Sequence, residues 1–322
     1  MTPVQLLTVS EDEAGLRLDR WLRQRFPQTT FGQLQKYLRT GQVRVDGRRV
    51  KGAVRLDTGQ QVRVPPLAEP APKRRTRPPS DAERRDLKDR ILHIDDHVIV
   101  INKPSGLAVQ GGSGQSRHLD GMLAGLQFKA SEPPRLVHRL DKDTSGALVL
   151  GRTRRSTQWL SRAFREKTTR KIYWALVAGV PRPRTGVVRS RLAKQGGPFG
   201  DRVTVTEVGK FAETRYATVE AAAQRISWLA LMPLTGRTHQ LRAHCVELGM
   251  PIIGDGKYGG ADVAMKTVFA DRLHLHAREL DLPHPAGGRL SVEAPLPPEL
   301  AESWRALGFD LAAYEDPFAD DA

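Results

Sequence analysis

Residues 65–79 hold six prolines in fifteen positions, interleaved with Lys73, Arg74, Arg75 and Arg77. Proline fixes φ and removes a backbone donor, and this stretch has few apolar side chains to bury, so neither helix nor sheet is expected to run through it. The chain therefore divides into a small folded unit over residues 12–64, an extended semi-rigid linker over residues 65–88, and a larger folded unit over residues 89–312. The linker's cations either track phosphate or stay solvated.

In the first unit Leu16, Leu18, Trp21, Leu22 and Phe26 recur near helical spacing, as do Leu34, Tyr37 and Leu38. The pattern then changes to period two at Val43 and Val45, just before the turn dipeptide Asp46-Gly47. This predicts two short helices feeding a hairpin. Arg17, Arg20, Arg23, Arg25, Lys36, Arg39, Arg44, Arg48 and Arg49 crowd the same unit, more cation than a solvated face requires. The stretches GLRLDRWL, LRTGQVRVDGRRV and GQQVRV resemble an S4 RNA-binding domain. The resemblance implies a basic surface that grips folded RNA through its phosphates, with Arg17, Arg39, Arg44 and Arg48 as contacts.

Charge leads to the same class of partner. The chain carries a formal +15 at pH 7 with a pI near 10.3, and 39% of its residues are hydrophobic, enough for a packed fold. Excess cation on a folding chain calls for a polyanion, nucleic acid first; the plainer alternative is a basic solvated surface. The single Cys245 cannot close an intramolecular disulfide. With no signal-like N-terminus and no apolar run approaching the roughly 20 residues of a membrane span, a soluble cytoplasmic protein is expected.

Beyond residue 90 the pattern is mostly strands. ILHI, HVIVINK, ALVL, KIYWALVAG, TRYATVEAA, ISWLALMPL, RLHLHARELDL and RLSVEA carry apolar runs or alternation. WLSRAFREK, HQLRAHCVELG and ELAESWRALG read as helices. Connections too short for parallel crossovers predict a mixed α+β domain on a mainly antiparallel sheet.

Within it lies VHRLDKDTSGALVL, with Asp141 and Asp143 among His138, Arg139 and Lys142. From these residues alone, Asp141 reads most simply as a salt-bridged turn residue. His138, Asp141 and Asp143, or His239, His244, Cys245, His274 and His276, could ligate a metal, but none follows a recognised metal spacing. Gly111–Gly114 and the GDGKYGG run at residues 254–260 lack the full phosphate-loop pattern, and no G-x-S-x-G surrounds Ser145. No metal and no cofactor are expected.

HRLDKDTSGALVL resembles the catalytic motif of the RluA-type pseudouridine synthases. INKPSGLAVQGGSG, KIYWALVAG and PLTGRTHQLRAH fit the same family in the same order. The resemblance implies an enzyme that isomerises uridine in RNA. It makes Asp141 the catalytic carboxylate, acting by attack at C1′, addition at C6, or a glycal route. Tyr173 would stack on the base, and Arg242 would pair with Asp141. Arg139, with His138 beside it, would contact RNA, the arginine filling the space left by the flipped nucleotide. Asp143 is assigned to holding the turn. The loop after NKPSGLAVQ, together with the S4-like unit, looks most like the C-type synthases of large-subunit (23S) ribosomal RNA. The expected partner is thus ribosomal RNA during subunit assembly, bound by a monomer. Another ribosomal helix, transfer RNA, or a non-catalytic role in ribosome assembly are the alternatives.

Overall fold

The computed structural model describes residues 4–67, 79–111, 117–196, 202–259 and 269–321. Most of the proline-rich run, including Lys73, Arg74, Arg75 and Arg77, lies outside the described residues, as do residues 112–114 of the GGSG loop. The chain divides into two units, Met1–Arg75 and Thr76–Ala322.

In the first unit, β1 (Gln5–Thr8) is followed by α1 (Leu18–Arg25), α2 (Phe31–Arg39), β2 (Arg44–Val45), β3 (Arg48–Arg49) and β4 (Gln61–Val64). The i, i+3, i+4 spacing of Leu18, Trp21 and Leu22 puts all three into the core with Leu34, Leu38, Val43 and Val62. Full burial of each such side chain contributes about 1.5–3 kcal/mol. At the start of α2 the Thr30 hydroxyl accepts from the Gln33 backbone N–H, while the Gln33 side-chain oxygen accepts from the Thr30 N–H. Asp46 and Gly47 both take positive φ, 47° and 75°, as a two-residue hairpin requires. The antiparallel sheet runs β1-β4-β2-β3.

The second unit begins with α3 (Asp81–Asp89), capped by Ser80. This helix occupies the end of the segment expected to be linker: beyond the last proline, Ser80 and Glu83 form a capping box and Leu87 supplies a buried anchor. Next come β5 (Ile91–Ile94), β6 (Val98–Lys103), β7 (Arg135–Leu136), β8 (Ser145–Gly151), α4 (Arg154–Glu166) and β9 (Arg170–Ala178). They are followed by β10 (Thr185–Gln195), β11 (Arg202–Val205), β12 (Lys210–Ala222), β13 (Ile226–Pro233), α5 (Gln240–Glu247), β14 (Leu275–Pro283), β15 (Arg289–Glu293) and α6 (Pro298–Ala306). An 11-stranded sheet runs β11-β10-β12-β13-β9-β14-β8-β6-β5, with β15 on β14 and β7 on β8. Among these described strands every pairing is antiparallel except β14 with β8.

Alternation along β9 decides which side chains reach which core. Ile172, Trp174 and Leu176 join Trp228 and the α6 residue Trp304 on one face. Tyr173, Ala175 and Val177 go to the other, against Leu241 of α5. Tyr173 and α5 thereby share the face on which the loop between β7 and β8 closes.

Candidate active site

Asp141 lies in the loop between β7 and β8, and the sequence on either side of it fastens that loop. Upstream, His138 Nε2 accepts the Val149 backbone N–H at 3.0 Å and the ring stacks on Phe164, centroids 4.4 Å apart. Burial, with the Lys171 charge in support, holds its pKa down to about 3, so the ring is neutral. His138 therefore fastens the loop to β8 through its acceptor nitrogen. At the turn itself the Thr144 N–H donates to the Asp141 carbonyl at 3.2 Å.

From the opposite side Lys103, the last residue of β6 and fully buried, donates through Nζ to three carbonyls: Pro104 and Leu107 at 2.8 Å, and Lys142 at 3.0 Å. Three donors meet three acceptors. Burial pulls its pKa down to about 7, opposed by the charges of Asp143 and Asp141. Ser105 Oγ donates to the Asp143 carbonyl at 2.8 Å, so Asp143 serves the turn through its backbone. The run NKPS thus clamps the segment that presents Asp141.

The Asp141 carboxylate opens into a cleft of about 660 Å³, lined by Arg139, Asp143, His239, Arg242 and Lys257 among others. A smaller recess of about 140 Å³ adjoins it, with Asp141, Tyr173, Leu241 and Leu275 in its walls. Burial, reinforced by the negative charge of Asp141, raises the Tyr173 pKa above its ordinary value, so the phenol keeps its proton. Arg139 is exposed at the mouth of both spaces.

Arg242 departs from expectation. Its guanidinium is paired with Asp255, not Asp141: Nε donates to Oδ2 at 2.7 Å and Nη2 to Oδ1 at 2.6 Å, both side chains being buried. Asp255 is pre-set for this, since Oδ1 also accepts the backbone N–H groups of Lys257 and Tyr258 at 3.0 and 3.1 Å. Burial works against the Arg242 charge, and Asp255 outweighs it. A bidentate fork aimed at one carboxylate is geometrically committed, so Arg242 lines the recess beside Asp141 with its guanidinium held by Asp255. His239 also faces Asp141, with Nε2 3.9 Å from Oδ2.

Tyr173 and Arg242 line the recess that holds Asp141, although Arg242 pairs with Asp255; His239 was weighed in the sequence only as a metal ligand, and Lys103, Asp255 and Tyr258 carried no assigned role there. Asp255 and Tyr258 fall in the GDGKYGG run, legible there only as glycine-rich. The other histidines weighed as metal ligands brace the core. His244 lies between Ser190 and Thr214, His274 between the Ile253 carbonyl and Ser303, and His276 between Ser145 and the Ala294 carbonyl. No group of three or more metal-ligating side chains occurs among the described residues.

In the first unit Arg17 is tied to Asp19 at 2.6 Å, while Arg39 and Arg48 are exposed. Strand pairing sets Arg44 between Arg49 and Arg63. Arg44 donates to the carbonyls of Gly41 and Gly47, Arg49 to that of Arg39, and Arg63 to that of Gln42. Like charges facing one another across strands destabilise a sheet, and backbone carbonyls orient these guanidiniums without cancelling their charge. Such a row suits a polyanion.

Two family models match the chain: RNA pseudouridylate synthase over residues 97–247 and the S4 domain over residues 16–62. The ribosomal large subunit pseudouridine synthase C of Vibrio cholerae serotype O1 is 37% identical over 307 residues, covering 94% of this chain and 96% of the relative. The protein of the same name from Escherichia coli K12 is 37% identical over 301 residues, 91% of this chain and 93% of the relative. Among solved structures, human RNA pseudouridylate synthase domain containing 4 superposes with a TM-score of 0.60 at 29% identity, covering 71% of this chain and 96% of that one.

Proposed function

The chain belongs to the RNA pseudouridylate synthase family, as an S4-bearing member of its RluA-type branch, and from that premise we propose that it isomerises uridines of large-subunit (23S) ribosomal RNA with Asp141 as the catalytic carboxylate. The observation that carries this reading is the placement of Asp141: a carboxylate clamped by Lys103 through its own loop, beside a protonated Tyr173 and across a cleft from Arg242.

Conversion of uridine to pseudouridine breaks the N1–C1′ bond, forms a C5–C1′ bond, removes the proton from C5 and leaves one on N1. The product is an isomer, and the balance needs no external reagent. The reaction does need a group at the sugar or base that can act as nucleophile or base near neutral pH. Asp141 suits that role and the Tyr173 phenol, held protonated, does not; Tyr173 instead offers a ring to stack on the uracil and a hydroxyl that donates. Attack at C1′, addition at C6 and removal of the C2′ proton all begin from a carboxylate in this position. Arg139 at the mouth of the cleft fills the gap left by the flipped nucleotide, which repays part of the few kcal/mol of unstacking. Arg242, held by Asp255, gives the recess beside Asp141 a rigid wall.

Capture of the RNA falls to the arginine row of the first unit, Arg44, Arg49 and Arg63, together with the exposed Arg39 and Arg48. No described helix is long and apolar enough to cross a membrane. The enzyme is taken to act as a monomer on RNA in the cytoplasm.

The test is Asp141→Asn, nearly isosteric but without a nucleophilic or basic oxygen. Single-turnover pseudouridine formation is expected to fall at least about a thousandfold while RNA affinity stays within a few fold. Activity within tenfold of the parent enzyme refutes the assignment. Mass-spectrometric mapping of pseudouridine in ribosomal and transfer RNA from a deletion strain, with and without the restored gene, identifies the substrate. Sites lost only from transfer RNA refute the ribosomal reading.

A further inference from the structure

His239, the residue just before α5, has φ 52° and ψ 21°, left-handed backbone that residues other than glycine adopt uncommonly. The conformation leaves its ring between two partners. Nδ1 lies 3.0 Å from Tyr258 Oη, and Nε2 lies 3.9 Å from Asp141 Oδ2. On its other side Tyr258 Oη is 2.8 Å from the backbone nitrogen of Val203 in β11. Among the described residues these are the two hydrogen bonds of that hydroxyl.

Proton bookkeeping along this chain fixes its polarity. A backbone N–H can only donate, so Oη accepts from Val203. The hydroxyl's own proton then goes to His239 Nδ1, which must accept. Burial, with Arg242 and Lys257 acting in the same sense against Asp141 and Asp255, keeps the ring below its ordinary pKa. A neutral imidazole that accepts at Nδ1 carries its proton on Nε2, the atom facing Asp141.

We propose that His239 is a positioning residue: its tautomer, set by Tyr258 and the Val203 amide, directs an Nε2–H donor at the Asp141 carboxylate and holds that carboxylate in one orientation toward the bound nucleotide. The proposal rests on the reading of Asp141 as the catalytic group. The separation of 3.9 Å is longer than a hydrogen bond and closes when substrate enters, as active-site contacts commonly do. The arrangement assigns β11, at the far edge of the sheet, a task in the active site: its amide fixes which nitrogen of the histidine is protonated.

Single-turnover isomerisation and RNA binding of the full-length enzyme decide the matter, for five variants whose folding is checked by thermal unfolding. His239→Phe keeps the ring shape and loses the donor; the rate is expected to fall about ten- to hundredfold with RNA affinity unchanged. His239→Gln places an amide N–H near the position of Nε2 and is expected to restore the rate to within about fivefold. Tyr258→Phe frees the tautomer and is expected to slow the parent about three- to tenfold. In the His239→Gln background the same change should cost nothing further, because an amide has no tautomer to set. Asp141→Asn serves as the reference. A His239→Phe enzyme as fast as the parent, or a Tyr258→Phe loss of equal size in both backgrounds, overturns the positioning role while an inactive Asp141→Asn leaves the catalytic assignment standing. An active Asp141→Asn overturns both. If His239→Phe fails to fold, the comparison of Tyr258→Phe in the two backgrounds decides alone.

Discussion

The groups that clamp the Asp141 loop and brace the core behind it have the reverse of an active site's chemistry: they are placed so as not to react. Lys103 has every donor proton on a carbonyl, and His138, His244, His274 and His276 are kept neutral, with pKa values of about 3 for the first and about 4 for the others. These imidazoles tie stability to pH. Burial lowers each folded-state pKa below the ordinary 6.5, so between about pH 4 and 6.5 the unfolded chain binds more protons than the native one. Stability therefore rises with pH through that window, levels off above it, and is lost as pH falls from 6.5. Each ring contributes a slope of about 1.4 kcal/mol per pH unit. Fully buried His276 is the cleanest case. Urea unfolding of His276→Asn at pH 7 and pH 5 should show a lower stability at pH 7 and a shallower loss on acidification than the parent. An unchanged slope would show that the ring is protonated in the folded state.

At the level of elements, the site depends on one parallel pairing in an otherwise antiparallel sheet. β14 meets β8 only through His276 opposite Ser145 and Ala277 opposite Gly146, immediately after the Asp141 turn. Gly146 has φ 114°, and a Cβ built there would lie 2.2 Å from the Ala277 carbonyl oxygen. A side chain would therefore have to push β8 and β14 apart. Gly146→Ala is expected to destabilise the second unit by about 3 kcal/mol or more and to impair catalysis by shifting the loop that carries Asp141, as read by thermal unfolding and single-turnover rate. Elsewhere legibility followed apolar content. β8 and β13 are buried along their whole length and stand out as hydrophobic runs. β10 buries only Val188 and Leu192 over TGVVRSRLAKQ, and β11 is the four-residue RVTV, so neither announces itself; pairing with β12 makes the first and pairing with β10 the second. α3 buries only Leu87 and was hidden by its charge.

Over the whole molecule, each unit has its own apolar core. Removing residues 1–75 should therefore leave the catalytic unit folded. It should weaken RNA binding and flatten the salt dependence by about 0.7–0.9 in log–log slope for each phosphate that is no longer neutralised. The single-turnover rate at saturating RNA should stay within a few fold. Binding across a salt series checks this: an unchanged slope would remove the arginine row from the RNA interface, and a lost rate in a folded truncation would show that the first unit helps to form the site.

The sequence alone determined the features that are written locally. The spacing of Leu18, Trp21 and Leu22 sufficed for α1, Asp46-Gly47 for the hairpin turn, and the buried runs for the central strands, because periodicity and turn chemistry act over a few residues. The ordered motifs likewise singled out Asp141, Tyr173 and Arg242, and all three line one recess. What the motifs did not contain is who holds whom. Arg242 faces Asp255 across a turn thirteen residues on, Lys103 reaches Lys142 thirty-nine residues away, and Val203 sets the tautomer of His239 through Tyr258, fifty-five residues from Val203. Such partners meet only when the strands have taken their order, and that order comes from the mutual burial of whole faces, to which no single stretch of the chain has access.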